Sequence, residues 1–452
     1  MIDLLILTGF STPDATGLDE YYNPSTYTTS IAYLYDYFID KLSVKIFIYD
    51  ITRDVNKIPE ARFYAISMLY TESIEIRNIT NYIKNKYINS KIIIGGKYPT
   101  FFYDDVFKNI PSCDYIIRGS GIESLKNLIF NNFEDQFILS RQKNSAEINF
   151  DRSEIKKSSI FNREAFYELD WNKVESNILC DKKSNWIITS EGCLYNCSFC
   201  TSRSFSQQKI SYRNLDDIVL DLNNLLKNIP DAKIFLTEPL ASANNSVHRS
   251  YIDSLFYRIY NETSISLKNS IGIFVKLLDI NTEFMNIFNK YSDKIKIVFM
   301  IGTDNFNDVI LKDMKKIDTY DNIKQKFSLI KNYDFVESAC SNIILGTPKD
   351  SKQIFLDNLE KTQKLYNEYK DSHIYLKFSA TVLWLLPGSE YYKNRNQYPM
   401  FINSNKIDDQ IKFYTINDRL EVSIGLRENW FREFQEYKNI YHQELRRINK
   451  RV

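Results

Sequence analysis

Cys193, Cys197 and Cys200 lie within eight residues, in the run Glu191-Gly192-Cys193-Leu194-Tyr195-Asn196-Cys197-Ser198-Phe199-Cys200. Thiolates three and four positions apart on one loop can converge on a soft metal centre. That there are three matters chemically. A structural zinc takes four closed ligands, and the other cysteines, Cys113, Cys180 and Cys340, show no pairing near this loop. A 4Fe–4S cube held by three thiolates keeps one iron free to bind something else. A zinc knuckle and a set of inert thiols are the competing readings. Tyr195 and Asn196, between the first two cysteines, either tune the sulfurs by packing and hydrogen bonds or face solvent.

The loop must be held by something, and the pattern before and after it says what. Strand-like apolar runs at 186–189, 233–237, 271–275, 296–300, 341–345 and 375–386 alternate with helical periodicity, as over 215–226 and 354–369. Six strand–helix units in about 200 residues predict a partial six-unit β/α (TIM-like) barrel, smaller than the closed eight-unit form. The cysteines follow its first strand. Upstream, runs at 3–8, 44–49, 63–69, 91–94 and 115–117 with amphipathic stretches between them predict a doubly wound, Rossmann-like parallel sheet covered on both faces. Ligands of such sheets sit at the carboxyl ends of strands. Gly95-Gly96 and Arg118-Gly119-Ser120-Gly121 occupy that kind of position, where plain strand-to-helix turns are the alternative.

The expected domains are therefore 1–135, Rossmann-type; 136–185, a linker or clamp that is polar over 141–163 and aromatic over 166–171; 186–400, the barrel; and 401–452, a helical C-terminal extension. The chain has 452 residues, 44% of them hydrophobic and 25% charged, which excludes disorder over most of its length. Lys+Arg 58 against Asp+Glu 57 gives a net charge of +1 and no electrostatic footprint for nucleic acid or an anionic membrane. No run approaches the roughly 20 apolar residues of a membrane span. The apolar start contains Asp3, lacks a basic flank and a small-residue cleavage site, and reads as a first buried strand rather than a signal peptide. A cytoplasmic location is expected, and six cysteines in so long a chain are no disulfide framework.

The cysteine run resembles the signature of the radical S-adenosylmethionine (SAM) enzymes. The resemblance implies a 4Fe–4S cluster on Cys193, Cys197 and Cys200, whose free iron chelates the amino and carboxyl groups of SAM. One electron then splits the sulfonium and yields a 5′-deoxyadenosyl radical. Phe199 matches the aromatic residue before the last cysteine, which packs near the adenine. Thr237-Glu238-Pro239 resembles the family's Gly-Gly-Glu-Pro element without its glycines, so Glu238 is implied to reach the methionine amino group. Ile301-Gly302-Thr303-Asp304 and the following Leu311-Lys312-Asp313-Met314-Lys315-Lys316 resemble the fourth-strand segment and its helix, with Asp304 replacing a Glu that reaches a ribose hydroxyl. Ile344-Leu345-Gly346-Thr347-Pro348 resembles the fifth-strand turn near the adenine, and Leu386-Pro387-Gly388-Ser389 the closing turn.

Pro24-Ser25-Thr26-Tyr27, Ile94-Gly95-Gly96-Lys97-Tyr98-Pro99-Thr100 and Asp114 to Gly121 run in the order seen in the cobalamin-binding-type domain before many radical enzymes. Some of those are methyltransferases. His248, His373 and His442 all lie outside this domain, so it offers no axial imidazole, and Tyr98 stands where a histidine is frequent. Both a cobalamin-binding domain and one that kept the fold without the corrin remain open. Two outcomes are expected from the site: cobalamin-dependent methylation of an unactivated carbon, or a cobalamin-free modification such as epimerisation of a peptide residue. In the second, Cys340, near the fifth barrel strand, is the candidate hydrogen-atom donor, against the plainer role of a small buried hydrophobe. The resemblance also implies a low-potential electron donor such as flavodoxin or ferredoxin. The substrate, a peptide or a small metabolite, is not written in any motif.

Overall fold

The computed structural model describes residues 2–8, 34–35, 37–49, 54–68, 72–119, 121–130, 135–140, 185–202, 210–228, 230–237, 246–404, 407–416 and 419–449. The chain divides into two units, one built mainly on residues 23–181 and the other mainly on 182–405 and 412–452.

In the first unit, strands β1 (Ile2–Thr8), β2 (Val44–Ile48), β3 (Ala61–Ser67), β4 (Lys91–Gly95), β5 (Tyr115–Ile117) and β6 (Ile138–Ser140) form one sheet in the order β2-β1-β3-β4-β5-β6. The first five are parallel, and β6 runs antiparallel to β5. This is the doubly wound order in which the strand sequence reverses between β1 and β3, where ligands settle. Leu4, Leu5, Ile6 and Leu7 are all buried. An uninterrupted apolar run is what a parallel strand covered on both faces requires. Helix α1 (Ser73–Lys86) turns Ile76, Ile79 and Ile83 inward, and α2 (Ile122–Ile129) does the same with Leu125, Leu128 and Ile129.

In the second unit, β7 (Asn185–Ile188), a two-residue pair β8 (Ser190–Glu191) and β9 (Ser211–Tyr212), β10 (Ile234–Thr237), β11 (Ser270–Lys276), β12 (Lys296–Asp304), β13 (Val336–Leu345) and β14 (Tyr375–Val382) follow in chain order. The six long strands form one parallel sheet, β7-β10-β11-β12-β13-β14, each beside its predecessor. That is the expected six-unit half-barrel. Its helices are α3 (Leu215–Asn228), α4 (Ser246–Glu262), α5 (Thr282–Asn289), α6 (Asp308–Asp313), α7 (Tyr320–Ile330) and α8 (Lys352–Tyr369). Side-chain acceptors cap four of them, with Asn281, Asn307, Thr319 and Ser351 each receiving a backbone N–H of the first turn.

Buried and half-buried residues alternate over 299–304 and 339–343. Phe299, Ile301, Ala339, Ser341 and Ile343 are buried, whereas Met300, Gly302, Asp304, Cys340 and Asn342 are half-buried. The half-buried set therefore lines one wall, shared with Phe274 and Lys276 of β11 and with Lys377 and Thr381 of β14. A hydrogen-bond ladder crosses that wall: Asn342 donates to Thr381 Oγ1 at 3.0 Å, and Ser379 Oγ donates to Asn342 Oδ1 at 2.9 Å.

The C-terminal extension is helical over α9 (Glu428–Asn449) but begins as a two-stranded sheet, β15 (Ile411–Ile416) with β16 (Arg419–Ile424). That is a correction to an all-helical tail, and the period-two alternation of Leu420, Val422 and Ile424 is its signal. Helix α9 covers the open edge of β14, where the Ala380 N–H donates to His442 Nε2 at 3.1 Å.

Candidate active site

The cysteine loop leaves the sheet at the carboxyl end of β7. Gly192 enters it at φ 102°, a backbone state that L side chains rarely adopt. Cys193 and Cys197 are buried, Cys200 is half-buried, and all three are free thiols. Burial pushes the Cys193 thiol up, against a backbone hydrogen bond from Tyr195 and the charge of Lys276. The Ser202 N–H donates to Cys200 Sγ at 3.4 Å. Between the cysteines, Tyr195 donates its hydroxyl to Asp279 Oδ1 at 3.2 Å, while Asn196 is exposed.

What positions the loop is the turn after α6. The Ser198 N–H donates to the Met314 carbonyl at 3.0 Å, Ser198 Oγ donates to the Asp313 carbonyl at 2.9 Å, and the Tyr391 N–H donates to the Ser198 carbonyl at 3.0 Å. That turn is a Schellman cap. The Lys316 N–H reaches the Leu311 carbonyl and the Lys315 N–H the Lys312 carbonyl, with Lys315 itself at φ 58°.

The same turn aims Lys316 into the half-barrel. Its Nζ lies 2.5 Å from Asp304 Oδ2 and 2.5 Å from the Gly302 carbonyl, and its side chain is only 3% exposed. Asp304 ends β12 behind a register shift between Ile301 and Asp304, and it too has positive φ, 62°. Burial works against its carboxylate, but Lys316 and Lys276 outweigh burial and hold its pKa below the usual range. Across the register pair Lys276–Gly302, Lys276 Nζ donates to Cys197 Sγ at 3.5 Å and lies 5.4 Å from the Tyr195 ring centre. Burial lowers the pKa of this lysine, yet the field of Cys197, Asp304, Cys193 and Cys200 leaves it above its ordinary value.

The structure thus brings Cys193, Cys197, Cys200 and Asp304 around one ammonium group that sequence reasoning did not single out. Its signal was a lysine closing an apolar strand, two positions after Phe274 on the same face. Lys316 ends the segment 311–316 that resembles the family's helix after the fourth strand, a resemblance that implies no role for it. Phe199 is half-buried on the loop. Gly346 takes φ 88°, and a Cβ there would lie 3.1 Å from the Phe434 ring. Cys340 lies within β13, not beside it, and faces the half-buried wall with Asn342; burial pushes its thiol up to about 11 against Lys377. Glu238 lies outside the described residues, as do Cys180 and the segments 24–27, 141–163 and 166–171.

Among the described residues, no three His, Cys, Asp or Glu side chains converge closely enough to hold a single metal ion. Thiolates of an iron–sulfur cube bind separate irons and stand further apart. Three free thiols on one loop, a backbone N–H directed at one sulfur and a buried ammonium at another form a donor set that fits such a cube.

In the first unit, Gly96 has φ 109°, and a Cβ on it would fall 2.8 Å from the Met68 carbonyl oxygen, so the turn after β4 lies directly on the end of β3. Thr100 Oγ1 donates to the Gly96 carbonyl at 2.7 Å and accepts the Gly119 N–H at 2.9 Å, which ties the ends of β4 and β5 together. Gly95 closes β4 opposite Ser67. Tyr98 is buried, stacks on Phe102 with ring centres 5.0 Å apart and donates to Asp105 Oδ2 at 2.6 Å. His248, His373 and His442 belong to the second unit. The first unit thus offers a corrin no imidazole of its own.

The parallel half-barrel and its three-thiol loop define a class, and residues 187–361 match the pattern of the radical SAM superfamily. This part of the chain is a radical SAM domain. A protein of Methanocaldococcus jannaschii bearing a provisional methylthiotransferase name is 24% identical over 267 residues, 56% of this chain and 54% of that protein. The chain thus spans about half the length of this curated relative. Two solved structures share the fold across both units. The radical SAM methyltransferase TsrM of Kitasatospora setae, with tryptophan and a SAM analogue bound, superposes with a TM-score of 0.66 at 11% identity, covering 97% of this chain and 88% of that one. The cobalamin-dependent radical enzyme OxsB, with aqua-cobalamin and SAM bound, gives 0.67 at 13% identity, covering 98% of this chain and 66% of that one. No helix among the described residues is long and apolar enough to cross a membrane.

Proposed function

We propose that this protein is a radical SAM enzyme that functionalises an unactivated C–H bond, and that the outcome is cobalamin-dependent methylation. The observation that carries this reading is the loop of three free thiols at the carboxyl end of β7, with a buried lysine directed at Cys197. A 4Fe–4S cluster on Cys193, Cys197 and Cys200 supplies the electron that splits the sulfonium of SAM. The chain's own part is to bind, orient and shield. The turn at Gly346 presents backbone groups to the adenine, Phe199 packs beside it, and Glu238 reaches the methionine amino group. Asp304, committed to Lys316, orders the wall instead of reaching a ribose hydroxyl. The half-buried wall that includes Met300 and Asn342 shields the reacting carbon from water.

The first unit's strand order, and the whole-length likeness in fold to enzymes solved with cobalamin, support the corrin. The reductant is a flavodoxin or ferredoxin, and the substrate a peptide or small metabolite. Anaerobic reconstitution with iron, sulfide and hydroxocobalamin tests the reading. It should give cluster absorbance, stoichiometric corrin and turnover of SAM, all but the corrin lost when the three cysteines are replaced by Ala. Reduced, iron-loaded protein that never consumes SAM would overturn it.

One observation favours a second outcome. Cys340 faces the inner wall, two positions from Asn342, where an S–H bond can return a hydrogen atom to a substrate radical. Reconstituted protein that excludes corrin yet epimerises a peptide residue would make this the reaction.

A further inference from the structure

Four charged groups meet beneath the cysteine loop, and their arrangement is too buried to be incidental. Lys276 and Lys316 flank Asp304, and all three side chains pack around the bare Cα of Gly302. A Cβ there would lie 3.8 Å from Lys276 Cδ, from Asp304 Oδ2 and from Lys316 Nζ alike. The fourth is Asp318, whose carboxyl is pushed up by burial while both lysines pull it down. Buried ions of this kind are costly unless each has a partner. Asp304 takes its ion pair from Lys316, at 2.5 Å, and feels the charge of Lys276 as well, so the two lysines bring one positive charge more than this carboxylate balances. Lys276 Nζ donates to Cys197 Sγ at 3.5 Å, and the ring of Tyr195, itself anchored on Asp279, lies 5.4 Å from it.

We propose that Lys276 sets the reduction potential of the cluster: its ammonium donates to the Cys197 sulfur from within the wall, and the Asp304–Lys316 pair holds it there. This rests on the cluster reading above and adds to it. A fixed positive charge at a ligating sulfur favours the reduced cluster, which carries one more negative charge, in a medium where charges interact strongly. Asp304 damps the effect, because its carboxylate partly cancels the lysine's field. The damping charge sits at the end of β12, just past the register shift between Ile301 and Asp304.

The opposite signs of these two charges supply the test. The reconstituted full-length protein is titrated anaerobically with dithionite and mediators, and the reduced cluster is followed by electron paramagnetic resonance. Lys276→Gln should lower the ratio of reduced to oxidised cluster at a fixed ambient potential at least tenfold, a shift of 59 mV for a one-electron couple. Lys276→Arg should restore it to within about threefold of wild type. Asp304→Asn should move the ratio the other way, upward. Lys276→Gln with normal iron and sulfide content and an unmoved ratio overturns the inference, as does Asp304→Asn shifting in the same direction as Lys276→Gln. Should Lys276→Gln fail to load a cluster, the sign of the Asp304→Asn shift alone decides. Wild-type protein that assembles no cluster refutes the proposed function first, and this inference with it; an intact cluster with unmoved potential refutes only this one.

Discussion

Replacing Asp350 by Asn should remove a pH dependence from the second unit's stability. Asp350 follows the turn at Gly346, and its Oδ2 accepts the Gly346 N–H at 2.7 Å and the Thr347 N–H at 3.2 Å. Its other oxygen is buried with no hydrogen-bond partner among the described residues. Burial pushes its carboxyl up from 3.8 to about 7, against those backbone hydrogen bonds and with help from nearby Asp313. Tyr391 and Tyr437 also feel its charge, and Lys349 beside it is committed to Asp313 at 3.3 Å.

Because the folded pKa is raised, the stability linked to this group is fully present below the unfolded value of 3.8 and is lost as pH rises towards the folded value of about 7. Between those values the loss runs at about 1.4 kcal/mol per pH unit. It therefore amounts to roughly 2 kcal/mol between pH 5 and pH 7, and levels off near 4 kcal/mol by about pH 8. For a unit of this size 2 kcal/mol is about 4–8 °C in melting temperature. The assay is thermal unfolding of wild type and Asp350→Asn at half-unit steps from pH 5 to pH 8.5. The gap by which the wild-type curve lies below the variant's should widen as pH rises from 5 and become constant by about pH 8. Parallel curves would refute the reasoning, for they would mean that the carboxyl is ionised throughout and that the backbone donors, not burial, govern it.

Gly272→Ala should cost about 1–3 kcal/mol, since a Cβ there would fall 2.2 Å from the Phe235 ring; urea unfolding checks it, and a second change, Phe235→Leu, should recover part of the loss. The pair Arg213–Asp221, 2.7 Å apart and almost wholly buried, should make Asp221→Ala cost on the order of 3 kcal/mol, read in the same assay. Cys340→Ala should leave 5′-deoxyadenosine formation intact, and should abolish product only if the chemistry returns a hydrogen atom; mass spectrometry of both products separates the two outcomes.

The sheet of each unit was legible because parallel strands are buried on both faces and read as apolar runs, as Leu4–Leu7 does. Their ends were less so. Strand β12 was expected over 296–300 and runs to Asp304, because a bulge lets the ladder continue past Gly302. Strand β13 begins at Val336 rather than at 341, since Glu337 and Ser338 break the apolar run without leaving the ladder. Beyond Val382 the apolar Leu383 and Leu385 continue the pattern of β14 while the backbone leaves it for other partners: the Leu385 N–H donates to the Ile424 carbonyl at 3.0 Å. The cysteine loop could be read from spacing alone. Its surroundings could not, because Lys276, Asp304 and Lys316 are 28 and 12 residues apart and meet only through strand register and a helix cap.

That meeting has a backbone signature. Among the described residues the only two non-glycine positions with positive φ are Asp304 and Lys315. Each state costs of order 1 kcal/mol and persists only where the surroundings over-determine it. Here they do so from two sides. The bulge ahead of Asp304 directs its carboxylate at Lys316, and the Schellman cap at Lys315 directs Lys316 back at Asp304 while its carbonyls at Asp313 and Met314 seize Ser198 of the cysteine loop. One short turn therefore fixes both the sulfurs and the charge beside them. Breaking the cap should loosen both together: Lys315→Gly, which keeps the cap, should leave the loop in place, whereas Lys315→Pro, which has no N–H and cannot adopt positive φ, should release Ser198 and Lys316 at once.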